Sequence, residues 1–178
     1  QKSNGWARAL RRNRTNSIGL IIPDLENEFY TTAAAVVQDV LAGEDCRLVL
    51  CCNDNDPDTD AVLLNSLLEM RVDGIAHVPC TPDGSDVIRA RNPDLPIVEY
   101  ARRSGAHEVD SVLGDDERGS AALTRHLLEL GHRSLAIIAG PEGLSTTVDR
   151  VTGFTSACRE AGLAEADVHV MHGGSYDA

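Results

Sequence analysis

The chain has 178 residues, with 16 basic and 28 acidic side chains and a formal net charge of -12 at pH 7. Apolar residues make up 42% of the sequence and charged residues 25%, a balance that is typical of a globular chain and excludes an intrinsically disordered one. The longest apolar runs, at residues 48–52 and 135–139, are far shorter than the roughly 20 residues that span a bilayer. The sequence therefore predicts a soluble domain without a transmembrane helix.

The start of the chain differs in charge from the rest. Residues 1–14 contain no acidic side chain and five basic ones, namely Lys2, Arg8, Arg11, Arg12 and Arg14. The acidic remainder would repel a phosphate backbone, so we expect any contact with nucleic acid to come through this segment or through residues outside the chain. A solvated terminus is the alternative. The segment begins with Gln1 and has no apolar stretch, which argues against a secretory signal and indicates a piece of a longer protein.

Short apolar runs alternate with segments of helical apolar spacing along the chain. Strands are predicted, in chain order, at residues 17–22, 47–52, 74–78, 96–99, 111–113, 135–139 and 168–171. Helices are predicted between them at residues 29–43, 58–70, 86–91, 117–130 and 147–161. Continuously apolar strands that alternate with helices are typical of a parallel sheet covered on both faces. The pattern predicts a doubly wound α/β fold, in which ligands bind outside the carboxyl ends of the strands.

Cysteine and histidine usage indicates neither disulfides nor a metal. The chain has five cysteines, an odd number, and no C-x-x-C pair, so we expect reduced thiols and a cytoplasmic protein. Cys51 and Cys52 are adjacent in a predicted strand and should point to opposite faces of the sheet. His169 and His172 have no carboxylate or thiol at a matching spacing. We therefore predict no metal site and no cofactor.

The common signatures of α/β enzymes do not occur in the sequence. It contains no G-x-G-x-x-G after a strand, no phosphate-binding P-loop and no G-x-S-x-G nucleophile turn. Asp115, Asp116 and Glu117 follow the fifth strand, and clustered carboxylates can bind magnesium in a phosphoacceptor domain. Acidic residues are also stabilised in the first turn of a helix by the helix dipole. We prefer this explanation of the three acidic residues because, unlike a metal site, it needs no partner residues. The sequence therefore predicts a protein that is not an enzyme.

Seven segments occur in the order and approximate spacing of one bacterial protein family. They are residues 4–11 with 14–24, 25–30, 72–75, 95–98, 126–133, 139–141 and 150–154. Together they resemble the lactose repressor (LacI/GalR) family of transcription regulators, although Glu28 stands where that family usually has a proline. The resemblance covers residues 4 to about 174.

The resemblance implies a periplasmic-binding-protein-like (type I) core that binds a small-molecule effector and dimerises. Residues 1–16 would form a hinge helix or linker to a DNA-binding headpiece that this chain lacks. Residues 17–133 would form the N-terminal subdomain, and residues 134–178 the incomplete start of the C-terminal subdomain. The implied partners are an effector, operator DNA and a second copy of the chain, with no membrane.

The hinge resemblance also implies specific DNA contacts. The small side chain of Ala7 would let two hinge helices approach each other, and Leu10 would insert between base steps in the minor groove. Arg8 and Arg11 would lie against phosphates. A helix this short is marginal alone, so we expect residues 1–16 to be disordered without DNA.

The resemblance selects five effector-binding residues, namely Phe29, Tyr30, Asp115, Thr146 and Arg150. The Arg150 guanidinium would donate paired hydrogen bonds to sugar hydroxyls or a carboxylate; a surface ion pair with Asp149 or Glu160 is the alternative. Phe29 and Tyr30 would stack on a sugar, unless one of them belongs to the core.

Two departures from the family pattern concern the same pocket. The family usually has Asp-Asn where this chain has Asp115-Asp116, which weakens Asp115 as a candidate. The family's Asp-Arg after the fourth strand is replaced by residues 100–103, Tyr-Ala-Arg-Arg, which puts the usual sugar contacts there in doubt. The leading interpretation is the effector-binding core of a LacI-type regulator, a repressor by expectation, that couples a sugar or related metabolite to operator binding. The alternative is a periplasmic solute-binding protein without a role on DNA.

Overall fold

The structure is a computed structural model that describes residues 14–85, 92–105 and 109–173. The chain divides into two compact units, Gln1–Val112 and Leu113–Ala178. The helix predicted at residues 86–91 lies outside the described residues. Among the described helices, none combines the length and the apolar character that crossing a bilayer requires.

The first unit is a parallel sheet with a helix after each of its first two strands. Its elements are β1 (Ser17–Ile22), α1 (Glu28–Gly43), β2 (Arg47–Cys52), α2 (Pro57–Glu69), β3 (Gly74–His77), β4 (Ile97–Tyr100) and β5 (Asp110–Val112). The strands pair in parallel in the order β2-β1-β3-β4-β5. The doubly wound parallel sheet that the apolar pattern predicted is thus confirmed.

The side chains of β1 alternate between two cores, one on each face of the sheet. Ile21 packs with Leu64 and Leu67 of α2, whereas Leu20 and Ile22 pack on the α1 side. Burial of apolar area on both faces accounts for the unbroken apolar character of this strand. Leu63 and Leu68 of α2 are partly buried against the same core as Leu64 and Leu67.

Both described helices of the first unit, α1 and α2, begin at a side-chain cap. The Asn27 side chain accepts a hydrogen bond from the backbone N–H of Phe29 at 3.0 Å, which starts α1. The Asp56 carboxylate accepts one from the Thr59 N–H at 2.7 Å, which starts α2 and lowers the pKa of Asp56. These caps satisfy backbone donors that a helix leaves unpaired at its start. They also fix where each helix begins beside the carboxyl edge of the sheet.

The apolar residues of α1 do not all face the sheet. Tyr30 and Ala34 are buried in the core, but Val36 is 59% exposed and Val40 is 64% exposed. These two valines lie four residues apart and therefore on the same side of the helix. Val36 and Val40 thus form an exposed apolar strip on α1. Helical spacing alone does not distinguish these exposed valines from buried apolar residues.

The second unit contains two packed helices and a two-stranded parallel sheet. Its elements are α3 (Asp116–Glu129), β6 (Leu135–Ala139), α4 (Ser145–Glu160), a 3-10 turn (Glu165–Asp167) and β7 (Val168–His172). One face of the sheet shares a core with both helices, formed by Leu128, Leu135, Phe154 and Cys158. On β6, Ile138 is 81% exposed.

Two expected boundaries differ from the structure. The sequence suggested a division after residue 133, but α3 packs on α4 and therefore belongs to the second compact unit, which begins at Leu113. The disordered linker was expected to reach residue 16. Instead the Thr15 N–H donates to the Asp73 carboxylate at 3.1 Å, and its hydroxyl donates to the Arg71 carbonyl at 2.8 Å. The chain is therefore anchored to the first unit from Thr15 onward.

Candidate functional site

At the carboxyl edge of the first sheet, α1 presents an exposed aromatic ring. The cap at Asn27 places Phe29 in the first turn, where it is 55% exposed. Its ring is stacked on that of Tyr100, at the end of β4, with centroids 5.6 Å apart and planes at 7°. Burial raises the pKa of the Tyr100 hydroxyl, which therefore stays protonated at neutral pH. The pair offers an apolar face of the kind on which sugar rings stack.

Tyr30 does not share this exposure. It is 8% exposed and packs in the core with Leu20, Ile22 and Val78, while its ring meets the edge of Phe29 at 5.1 Å. Successive helical residues point about 100° apart, so only one of the two aromatic rings can face outward at this turn. The role of Tyr30 as a stacking surface is therefore corrected to a supporting one beneath Phe29.

The loop after β4 holds a buried arginine. Arg102 lies almost wholly inside the first unit, and its Nη1 donates to the Asn55 side-chain oxygen at 2.7 Å. Ala101 before it has a φ of 61°, and the Arg102 N–H donates to the Tyr100 carbonyl at 2.7 Å, which closes a γ-turn. A positive φ is strained for alanine, and such strain is concentrated at functional sites. The loop thus sets Arg102 against the turn that follows β2.

A buried carboxylate braces the same loop. Glu99 of β4 is 1% exposed. One of its oxygens accepts the backbone N–H of Ser104 at 2.9 Å, and the other accepts the Ser104 hydroxyl. These charge-assisted hydrogen bonds tie the two ends of the loop together. Residues 100–103, Tyr-Ala-Arg-Arg, are therefore enclosed in an internally hydrogen-bonded loop.

Beneath this edge lies a buried polar network centred on Asp60 of α2. Its carboxylate accepts Asn53 Nδ2 at 2.8 Å and meets His77 Nε2 at 3.0 and 3.1 Å, and His77 Nδ1 lies 3.2 Å from the Ser85 hydroxyl. All four side chains are buried. Asn53 directly follows β2 and His77 ends β3, so the network joins the ends of these two strands to α2 at the carboxyl edge.

Cys80, just beyond β3, is an inert thiol. Burial, and then the negative charge of Asp60, raise the pKa of its thiol to about 12. Since the thiolate is the nucleophilic form, Cys80 stays protonated and unreactive at neutral pH. The whole set of five cysteines consists of free thiols.

In the second unit, Arg150 is held by a carboxylate on the neighbouring helix. Its Nε donates to Asp116 Oδ1 at 2.6 Å, and the Arg150 carbonyl accepts the Ser120 hydroxyl at 2.7 Å. The suggested partner Glu160 instead lies 3.2 Å from Arg125. The partner Asp116 was missed because it is 34 residues away in sequence and reaches Arg150 only through the packing of α3 on α4.

The other two candidates of the second unit lie at helix starts. Thr146 is buried in the first turn of α4. Asp115 caps α3, and its carboxylate accepts the Arg118 N–H at 3.2 Å. The helix-start interpretation of this acidic cluster is thus confirmed, since Asp115 and Asp116 each have a structural partner. The hinge candidates Ala7, Arg8, Leu10 and Arg11 lie outside the described residues.

The first unit is a parallel sheet with helices on both faces, and the second contains a parallel βαβ unit. Polar and aromatic side chains lie at the carboxyl edges of these sheets. Together these features define the class of periplasmic-binding-protein-like ligand-binding domains. Residues 15–177 match the family described as periplasmic binding proteins and sugar binding domain of the LacI family, and the chain belongs to this family.

Individual relatives are bacterial regulators. Catabolite control protein A of Priestia megaterium is 28% identical over 99% of this chain and 54% of its own length. The HTH-type transcriptional regulator DegA of Bacillus subtilis (strain 168) is 30% identical over 90% of this chain and 48% of its own length. The Cra transcriptional dual regulator from Pseudomonas putida in complex with fructose 1-phosphate superposes with a TM-score of 0.83 and 27% identity, covering 91% of this chain and 59% of that chain. The chain thus spans about half the length of the curated relatives it matches.

Proposed function

We propose that this chain is the effector-binding part of a LacI-type transcriptional regulator that senses a sugar or a related metabolite in the cytoplasm. The observation that carries the proposal is the exposed ring of Phe29, stacked on Tyr100 at the carboxyl edge of the first sheet. The second unit separately offers the Arg150 guanidinium, in the second turn of α4. An aromatic face and charged hydrogen-bond donors are the groups with which proteins hold polyhydroxylated ligands. Family membership and the regulators among the relatives support the same function.

On this proposal Arg150 contacts the effector in the second unit and Phe29 in the first, while Tyr30, Asp115 and the buried Thr146 support the elements that carry them. Effector binding would shift the protein between states that bind operator DNA well and poorly, a coupling that is reciprocal by thermodynamic linkage. The basic segment at residues 1–14 and a preceding headpiece would make the DNA contacts. The free thiols and this basic segment favour a regulator over a periplasmic solute-binding protein.

Arg150→Ala is expected to weaken effector binding in the full-length protein by about 10- to 100-fold, because a charged hydrogen-bond donor contributes about 1.5–3 kcal/mol. Isothermal titration with D-fructose and with D-fructose 1-phosphate measures the change. Arg159→Ala is the matched control, since Arg159 is on the same helix and contacts Ser156. Equal affinities of Arg150→Ala and the unmodified protein for a sugar that binds would remove Arg150 from the site. A lack of binding by every variant and by the unmodified protein would contradict a sugar of this class as the effector.

The regulator would act as a homodimer, and the apolar strip of α1 is the surface we propose for the contact. Val36 and Val40 expose about 60% of their surface on one side of the helix, and a two-fold interface uses the same patch on both copies. Val40→Asp is expected to weaken dimerisation by at least about 100-fold, since it places an unpaired charge in an apolar contact. Sedimentation velocity measures the effect. Leu123→Asp, at an equally exposed position of α3, should leave the dimer intact. A dimer that persists in Val40→Asp would exclude α1 from the interface.

A further inference from the structure

The ion pair of Asp116 and Arg150 joins α3 to α4 in the second unit. The Asp116 carboxylate oxygen lies 2.6 Å from Arg150 Nε, with the Asp116 side chain 18% exposed and the Arg150 side chain 46% exposed. Two further contacts keep the helices in register at this point. The Ser120 hydroxyl donates to the Arg150 carbonyl, and the backbone of Gly153 packs directly on that of Glu117. The pair is therefore held on both sides by the packing of α3 and α4.

A carboxylate is not needed to hold the arginine in place. An amide oxygen at residue 116 would also accept a hydrogen bond from the guanidinium. What the aspartate adds is a negative charge in direct contact with the guanidinium. The net charge of the pair is zero, whereas an arginine beside asparagine retains its full positive charge.

Acidic side chains outnumber basic ones in the sequence around the pair. Asp115 and Glu117 flank Asp116 in sequence, and Asp149 precedes Arg150. Residues 113–173 contain five arginines and nine acidic side chains. An anionic ligand group that approached Arg150 would meet the Asp116 carboxylate at nearly the same distance, and the two interactions would largely cancel. A hydroxyl group has no such penalty, because it can donate to the carboxylate and accept from the guanidinium.

We propose that Asp116 is a specificity-determining residue which makes the Arg150 position select uncharged polyhydroxylated effectors over phosphorylated ones. The inference rests on the proposed effector-binding function and deepens it by naming the charge class of the ligand. In the unmodified protein the Asp116–Arg150 pair binds hydroxyl groups and offers a phosphate dianion no net attraction. Removal of the carboxylate charge frees the guanidinium charge for an anion.

The test compares D-fructose with D-fructose 1-phosphate, two ligands that differ by a phosphate, by isothermal titration on the full-length protein. The measurement is made near pH 8, where the phosphate is a dianion because its second pKa is about 6. The unmodified protein is expected to bind D-fructose more tightly than its phosphate. Asp116→Asn, which keeps the acceptor oxygen, is expected to shift the ratio of the two affinities toward the phosphate by about tenfold or more.

Glu117→Gln is the matched control. It removes the same charge from the next residue of α3, whereas the hydrogen bond of Arg150 Nε goes to Asp116. An affinity ratio that Asp116→Asn leaves unchanged, or that Glu117→Gln shifts equally, would overturn the inference while the proposed function stands. Stronger binding of the phosphate by the unmodified protein would also overturn it. If neither ligand binds any of the three proteins, the sugar effector itself is contradicted and the inference falls with it.

Discussion

Gly153→Ala is expected to destabilise the second unit by more than about 3 kcal/mol, the upper part of the range for overpacked positions. A Cβ at residue 153 would overlap the backbone carbonyl of Glu117 and lie 3.0 Å from the Ala121 nitrogen. Both are backbone atoms of α3, so rotation of a side chain cannot relieve the overlap. The helices would have to separate, which would open the core around Phe154 and pull Arg150 away from Asp116. Urea unfolding monitored by circular dichroism measures the loss.

Gly119→Ala is the control in the same unit and is expected to have the opposite effect on its stability. Gly119 is an exposed interior residue of α3, and a Cβ there would meet nothing within 4 Å. Alanine is favoured over glycine inside a helix by about 1 kcal/mol, so this variant is expected to be slightly more stable. If Gly153→Ala unfolded at the same urea concentration as Gly119→Ala, the close packing of α3 on α4 would be contradicted.

Asp60→Ala is expected to destabilise the first unit by about 2–5 kcal/mol, since each buried polar group left without a partner costs about 1–3 kcal/mol. The substitution leaves His77 Nε2 and Asn53 Nδ2 without their acceptor in positions that water does not reach. The loops after β2 and β3 should loosen as a result. Thermal unfolding gives the stability, and amide hydrogen exchange of residues 53–56 reports the loops.

Two further variants distinguish loss of the buried hydrogen-bond network from loss of a negative charge alone. Asp60→Asn keeps the shape and one acceptor oxygen, so its loss of stability should be smaller than that of Asp60→Ala. Asp58→Asn removes the same charge from an exposed position in the first turn of α2, and it should change stability by less than about 1 kcal/mol. Equal effects of Asp58→Asn and Asp60→Ala would show that the helix dipole, rather than the buried network, accounts for the result.

The placement of the two aromatic residues illustrates the limit of sequence-based reasoning. Phe29 and Tyr30 were equivalent candidates, because adjacent aromatics in a first helical turn carry no signal that orders them. Packing of α1 on β1 and β3 fixed the rotation of the helix about its axis, which buried Tyr30 and exposed Phe29. The same rotation turned Val36 and Val40 outward. Apolar spacing predicts that a helix forms and is amphipathic, but here it did not predict which apolar residues are buried.

The sequence by itself determined the order of strands and helices in the described residues, the parallel sheet, the core leucines of α2 and the family. These features depend on local apolar patterns and on motifs of adjacent residues, and both can be recognised in the sequence itself. Tertiary structure decided the pairings that join distant segments. Asp60 meets His77 across 17 residues, Arg102 meets Asn55 across 47, and Arg150 meets Asp116 across 34. Before the helices pack, any acidic side chain could pair with any basic one, because electrostatic attraction does not depend on separation along the sequence. The packing of α2 against the sheet and of α3 against α4 selected these partners, and with them the chemistry that each edge offers to a ligand.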